Sequence, residues 1–600
     1  MNSFVAGWDP ADEDRDRARR ALRAMREVYP LLDPTTAGTW EGARTFAAWM
    51  HWAPAAAAPR RYVDRCAAEL FLHDGTAVDA SGRIAGHDAA AWRRHWREAT
   101  DRLEGRFVAV RVGREPESLE VVVDPFGVYQ VFVHRRGDAW WLSNSAALLG
   151  RVVGARALDV EGAALFLGMH WPGGDRTLRA GVSVLPAAQR WRWIGDGGPE
   201  RHTYAPLAEL ATLPRRSFGA REAEALAGDM GSALRELAGA YTPFECPITG
   251  GKDSRVVTGL VMAEGLPAAY FTGGDPQGPD ARYGTAIARR FGLPHSMRCV
   301  DTGAVIEAWE ELAVRVVRQN DGMVTLAHAS NVAQAPGSLE RHGLQLYGAG
   351  GELGRGRRLD ARFLLRRPTV DDAIARVRRP FDRTTGLLLP EVRIRVHEHI
   401  ERLAREVHGM GFQAPDLPDA FDLAEYGRRW GGAQARQLTG HKDVFLPFFT
   451  RPFLRAAFAT PPMERLMQRL PYRLLSHVSP ELRDAPGQGP WPPQSVPLML
   501  AAQAMRVPNP YLRRLRRRLR RRWEPPAGLA RERVTLLEAL LPRWRTRFLD
   551  RQRSPLWQLA DRRRFEHLAS DRATRRERSG DQAALFQLAT LFGYEEELER

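Results

Sequence analysis

Lysine is almost missing from this chain: of its 88 basic residues only Lys252 and Lys442 are lysines, and the rest are arginine. With 72 acidic residues the formal net charge is +16. Such an excess ordinarily suggests a polyanionic partner. Here the arginine comes with abundant Ala, Gly and Pro, the codon bias of a GC-rich genome, which weakens that reading. Cysteine is also scarce. Cys66, Cys246 and Cys299 are widely spaced, which excludes a disulfide framework and a cysteine zinc site. No apolar run approaches a membrane span, and the acidic start Asp9–Asp16 is not a signal peptide. A cytoplasmic enzyme is the expectation. The Walker pattern Gly-x-x-x-x-Gly-Lys-Ser/Thr is absent as well, which excludes that type of phosphate loop.

What is present is a chain of 600 residues, 44% hydrophobic and 27% charged, long enough for two or three globular domains. Its most informative stretch is Phe244-Glu245-Cys246-Pro247-Ile248-Thr249-Gly250-Gly251-Lys252-Asp253-Ser254-Arg255. A short strand-like run ends in a hydroxyl, two glycines, an acid and a second hydroxyl, and Val256–Val261 then reads as a helix. Glycines let backbone N–H groups approach an anion, and a helix N-terminus adds partial positive charge. Thr249 and Ser254 can donate to phosphate oxygens. Asp253 cannot, and suits Mg²⁺ instead. Lys252 either reaches a phosphate as a point charge or is a solvated loop side chain. An ordinary Gly-Gly turn before a helix is the plain alternative for the whole segment.

The chain before it changes period. A charged helical pattern runs from Ala11 to Tyr29, and the Ala/Pro-rich Ala53–Pro59 looks like a linker. From about Leu103 apolar residues alternate through Phe107–Val112, Leu119–Val123, Tyr129–Val133 and Ala139–Leu142. The joints fall at Gly113–Glu117, Asp124–Gly127 and Arg135–Asp138, so the pattern predicts an antiparallel meander. After the glycine loop, Leu266–Thr272 reads as a strand and Asp280–Phe291 as a helix. Pro294-His295 and Val300 begin another crossover, which argues for a parallel sheet with the ligand at its carboxyl edge. A second glycine loop, Leu344-Gln345-Leu346-Tyr347-Gly348-Ala349-Gly350-Gly351-Glu352, carries one acid, Glu352, beside Asp253 the other candidate Mg²⁺ ligand. A flexible surface loop is the alternative there.

Thr249–Ser254 resembles the Ser-Gly-Gly-x-Asp-Ser PP-loop of ATP pyrophosphatases such as asparagine synthetase, with Thr249 for the first serine. Around it, Phe271, Asp280, Ala286, Gly292 and His295 occupy places similar to those of the same family, and the Glu352 loop resembles its pyrophosphate loop. Leu103-Glu104-Gly105-Arg106-Phe107, Asp124-Pro125-Phe126-Gly127 and Leu142–Leu149 resemble passages of the class II amidotransferase domain that precedes the PP-loop domain in that family. The resemblance covers roughly residues 65–490. It implies an α/β protein, with an Ntn-hydrolase-like α+β sandwich over 1–210, a parallel-sheet PP-loop domain over 211–500 and an arginine-rich helical region over 501–600. In that family an N-terminal cysteine attacks glutamine. Here Met1 is followed by Asn2, so glutaminase chemistry is expected to be lost.

The resemblance also implies ATP and Mg²⁺ as cofactors. Ile248, Thr249, Gly250, Gly251, Ser254, Phe271, Gly350 and Gly351 would contact nucleotide and pyrophosphate, Asp253 and Glu352 would hold the metal, and Lys252 and Arg473 would assist catalysis. Arg473, in Leu470–Leu475, would stand for a lysine of the family; a solvated helix arginine is its alternative. Ala349 stands where the β-lactam synthetase branch has a catalytic tyrosine, and Tyr347 lies two residues away. The expected activity is adenylation of a substrate carboxylate and its joining to an amine, as in β-lactam synthetases and lasso-peptide cyclases. The partners would be ATP, a carboxylate-bearing small molecule or peptide, and a second copy or a biosynthetic protein. Ammonia-dependent amidation, a non-catalytic basic binding module and RNA modification are the competing readings. Arg513–Arg522, eight arginines in ten residues, is either an anion-binding helix or a solvated face.

Overall fold

The computed structural model describes residues 2–29, 32–53, 62–79, 88–99, 102–205, 207–333, 343–383, 385–439, 442–505, 529–570 and 579–600. Ala53–Pro59, beyond Ala53 itself, and Arg513–Arg522 lie outside them.

Alternation builds the first half. Phe4, Ala6 and Trp8 of the strand Asn2–Trp8 and Val108, Val110 and Val112 of Leu103–Arg114 sit in one core between two six-stranded antiparallel sheets. The first sheet runs in the order Ser183–Val184, Phe132–Arg136, Ala139–Ser143, Asn2–Trp8, Thr45–Ala53, Asp33–Glu41. The second runs Glu200–Thr203, Gln189–Ile194, Glu117–Val123, Leu103–Arg114, Glu69–Asp79, Val63–Arg65. Because residues alternate across a strand, the intervening positions face outward and need cover. Val5, Phe46 and Ala48 pack with Ala18 and Leu22 of the helix Asp12–Ala24 and Leu148 and Val152 of Ala146–Val153. Phe71, Phe107 and Val122 pack with Trp92 of Ala89–Ala99.

The expected meander is therefore two hairpins in different sheets. Glu117–Val123 pairs with Leu103–Arg114 and Gln189–Ile194, whereas Phe132–Arg136 pairs with Ala139–Ser143 and Ser183–Val184. Asp124 causes the switch. Its carboxylate accepts from the N–H groups of Phe126 (3.0 Å), Val128 (3.1 Å) and Tyr129 (2.6 Å), and Gly127 takes φ +63°. That brace bends the chain across the core before Phe132 starts the next strand.

The second half holds a five-stranded parallel sheet in the order His295–Arg298, Ala268–Gly273, Phe244–Pro247, Leu344–Leu346, Asp443–Phe445. Chain order runs one way from Phe244–Pro247 and then resumes on its other side, so a topological switch point lies between that strand and Leu344–Leu346. Phe244 and Cys246, 1% and 0% exposed, join the core with Val256, Val257 and Leu260 of the helix Lys252–Ala263 and Leu234 of Ala220–Ala238. A sheet covered on both faces buries its central strand, and here the one charged residue of that strand, Glu245, is buried as well.

Closing helices pack on this half, through Leu540, Trp544 and Phe548 of Leu529–Asp550 and Phe586 and Phe592 of Ser579–Glu599. The two halves are joined by buried polar contacts. Glu104 accepts from the Arg451 backbone (2.8 Å) and side chain (2.7 Å), and Asp321 takes Arg436 (2.7 Å) and the N–H of Ala147 (2.7 Å). No helix among the described residues is long and apolar enough to cross a membrane.

Candidate functional site

The glycine loop leaves the carboxyl end of Phe244–Pro247 at the switch point, where ligands of open α/β sheets bind. Ile248 is tied to the next strand: its N–H donates to Phe271 O (2.8 Å) and its carbonyl accepts from Thr272 Oγ1 (2.5 Å). Gly284 is required behind this, since a Cβ there would lie 2.2 Å from Thr272 Oγ1. Thr249 Oγ1 accepts from the N–H of Gly251 (3.0 Å) and lies 3.1 Å from Ser254 Oγ. The two hydroxyls thus hold the loop closed on itself. Gly250 is capped: a Cβ would meet Tyr283 Cδ2 at 2.5 Å, and its carbonyl accepts from Gln488 N (2.8 Å).

Asp253 opens the helix Lys252–Ala263 and is half-buried. Arg355 Nη2 donates to its Oδ2 at 2.5 Å. Burial pushes the Asp253 carboxyl up to about 6, against the pull of Arg355 and with the push of Glu352. Glu352 comes from the turn after Leu344–Leu346 and accepts from the N–H of Gly350 at 3.1 Å. Two glycines make this approach feasible. Gly350 sits at φ +94°, and a Cβ on Gly351 would lie 2.5 Å from the Asp253 carboxylate carbon. The structure thus brings Asp253, Glu352, Gly350 and Gly351 together from two loops about 100 residues apart in sequence.

Lys252 does not project into solvent. Its Nζ donates to Gln468 Oε1 (2.5 Å) and lies 4.5 Å from the Trp491 ring centre. Burial, with Arg355 and Arg255 nearby, lowers its ammonium to about 8. Arg473 lies half-buried in the helix Arg469–Val478, which packs on Lys252–Ala263 and touches the Gly351–Arg355 turn; its Nε is buried without a hydrogen-bond partner. Phe271 presents its ring to the Arg298 guanidinium at 3.6 Å, and Arg298 pairs with buried Glu245 (3.0 Å), which also takes Lys442. The second lysine is therefore structural.

Sequence reasoning missed Arg355, Gln468 and the aromatic wall beside the second loop. Tyr426 lies in a π-helical segment, Asp422–Gly431. It stacks on Trp430 at 4.8 Å and takes Trp171 edge-on at 5.8 Å. Burial raises the phenols of Tyr347, to about 12, and of Tyr426; Glu352 pushes both the same way. An arginine counted three residues after Glu352 was the one available signal for Arg355, and the general abundance of arginine hid it.

The paired carboxylates suit one divalent cation completed by phosphates and water. Asp253 Oδ2 is held by the Arg355 guanidinium, so a cation there would displace that arginine. Groups of three or more His, Cys, Asp or Glu placed to hold a metal are absent among the described residues. In the first half, Ser3 is buried and accepts from Trp52 Nε1 (3.1 Å), while Asn144 accepts from the N–H of Phe4 (3.2 Å) and donates to Tyr129 (2.9 Å).

No family model and no curated protein matches the chain. Solved structures that match include one titled as the allosteric regulatory enzyme of purine biosynthesis, at 13% identity and a TM-score of 0.24, covering 49% of this chain and 64% of that one. Another is glutamine phosphoribosylpyrophosphate amidotransferase from B. subtilis complexed with ADP and GMP, at 12% identity and a TM-score of 0.23, covering 50% and 65%. This chain thus spans less than two thirds of either. Superposition this loose carries no inference about function.

Proposed function

We propose that the protein is an ATP-dependent ligase or cyclase of the asparagine synthetase-like type, which adenylates a substrate carboxylate and joins it to a substrate amine. The observation that supports it is the meeting of the two glycine loops at Asp253, at the switch point of a parallel sheet. In this reading a carboxylate oxygen attacks the α-phosphorus of ATP, and the bond from that phosphorus to the pyrophosphate oxygen breaks. The amine nitrogen then attacks the acyl carbon, AMP leaves, and the amine proton passes to a base. Asp253 and Glu352 would hold Mg²⁺, which when bound neutralises charge on the phosphates. The N–H groups of Gly251 and Gly350 would exchange Thr249 Oγ1 and Glu352 for pyrophosphate oxygens, and Arg355 would move from Asp253 to phosphate. The helix–sheet–sheet–helix arrangement of the first half fits an Ntn-hydrolase-like domain.

The test is ATP–pyrophosphate exchange with Mg²⁺ and a panel of carboxylates, including peptides. Exchange that requires a carboxylate and falls at least about a hundredfold in Asp253→Ala supports the reading. Glutamine-dependent asparagine formation would overturn it. A second reading, a non-catalytic binding module, is favoured by the capping of Gly250 by Tyr283 and of Lys252 by Trp491. It predicts no exchange and no effect of Asp253→Ala on Mg-ATP binding.

A further inference from the structure

The stretch Gly351–Arg358 carries charge to two places. Glu352 and Arg355 meet Asp253, as described. Arg357 and Arg358 reach Asp422 instead, Arg358 through Nε at 2.5 Å and Arg357 through Nη2 at 3.4 Å, and Arg357 lies 4.8 Å over the Tyr426 ring. With Arg376, Arg379 and Pro380 these two arginines line an open pocket of about 390 Å³.

Four guanidiniums around one pocket repel each other, and the fold neutralises only part of that charge. Asp422 serves Arg357 and Arg358, and Asp360 serves Arg376 at 2.5 Å. Arg379 is exposed and pairs with no carboxylate among the described residues. Among the described residues, arginines thus outnumber the carboxylates paired with them around this pocket. Arg358 is the most enclosed of the four, its side chain only 9% exposed.

We propose that this pocket binds a dianionic group, a dicarboxylate or a phosphate monoester, carried by the substrate. Guanidinium forks match the paired oxygens of both groups, and a dianion cancels the excess charge. Assignment of the group to the substrate rests on the ligase reading, because Gly351–Arg358 also forms one wall of the Asp253 site; binding itself does not rest on it.

The test is calorimetric titration of the full chain, without ATP, with succinate, methyl phosphate and uncharged succinamide. One site is expected for succinate or methyl phosphate, and whichever binds more tightly identifies the group. Arg379→Glu, an exposed change, should weaken that binding by about tenfold or more, and succinamide should not bind. Asp253→Asn should leave the affinity within about twofold, which separates this pocket from the ATP reading. No heat with either dianion, equal affinity for succinamide, or indifference to Arg379→Glu would each overturn the proposal. Circular dichroism of Arg379→Glu confirms that lost binding is not lost fold.

Discussion

One group of polar side chains lies buried inside the antiparallel sandwich, and another lies half-buried at the switch point of the parallel sheet. The first is paired within itself, apart from Arg106 Nε, which is buried without a hydrogen-bond partner. Phe4 N–H donates to Asn144, Asn144 to Tyr129 and Tyr129 to Asp74 (2.5 Å), and Arg106 lies 4.5 Å over the Tyr129 ring. Burial and Asp74 hold the Tyr129 phenol protonated, so the chain of donors runs in one direction. The second group is poised. Asp253 and Glu352 push against each other, Arg355 offsets them, and the N–H groups of Gly251 and Gly350 donate only to side chains of their own loops, Thr249 and Glu352. A closed network adds rigidity and specifies one packing. A site that must accept a charged substrate keeps charges whose partners can be exchanged.

The largest expected effect follows from that difference. Asp253→Ala should lower exchange at least about a hundredfold while leaving the unfolding midpoint near wild type. Asn144→Ala should do the reverse, costing about 1–3 kcal/mol in stability by orphaning buried groups and leaving exchange per folded molecule within about twofold. Denaturant unfolding beside the exchange assay measures both, and an Asn144→Ala protein that is folded but inactive would break the comparison.

Gly351→Ala sharpens it. The added methyl meets the Asp253 carboxylate, so exchange should fall about tenfold or more for about 1 kcal/mol of overpacking. An unchanged exchange rate would mean that Asp253 is free to move.

A smaller effect comes from Asp419, which burial raises to about 7 despite Arg465. Between about 4, its unfolded value, and 7, the folded carboxyl keeps a proton that the unfolded one has lost. This group's contribution to stability therefore falls as pH rises through that window. Asp419→Asn should flatten that part of the stability–pH curve; thermal unfolding from pH 4 to pH 8 reads it, and an unchanged slope would refute the assignment. The smallest effect is that of Arg298→Gln. It removes the guanidinium over Phe271 but leaves Lys442 on Glu245, and should cost about 1 kcal/mol or less, measured by denaturant titration.

The strands of both halves were legible where one period dominated. Leu103–Val123 alternates cleanly, and Pro279–Phe291 has a Pro at its start and a left-handed Gly292 at its end. The sheet exchange at Asp124 was not legible, because its cause is a carboxylate binding three backbone groups rather than any change in hydrophobic pattern. The hairpin Asp33–Glu41 and Thr45–Ala53 also escaped: it is rich in Ala and Trp, and Thr45–Ala53 is buried on both faces, so it shows no alternation. In the site, Thr249–Ser254 was readable as a local motif. Lys252 was readable only as a residue, since its partners Gln468 and Trp491 come from more than 200 positions away.

By itself the sequence determined where glycines permit close approach, which acids accompany them, and that the chain alternates first in strands and then in strand–helix units. These are local properties, set by backbone sterics and side-chain chemistry within a few residues. Only the tertiary structure decided that Asp253 meets Arg355, that Tyr283 covers Gly250, and that Arg357, Arg358, Arg376 and Arg379 share one pocket. Those outcomes depend on strand order and on burial, which strengthens some charges' interactions and leaves others without partners. Neither quantity is carried by any short stretch of sequence.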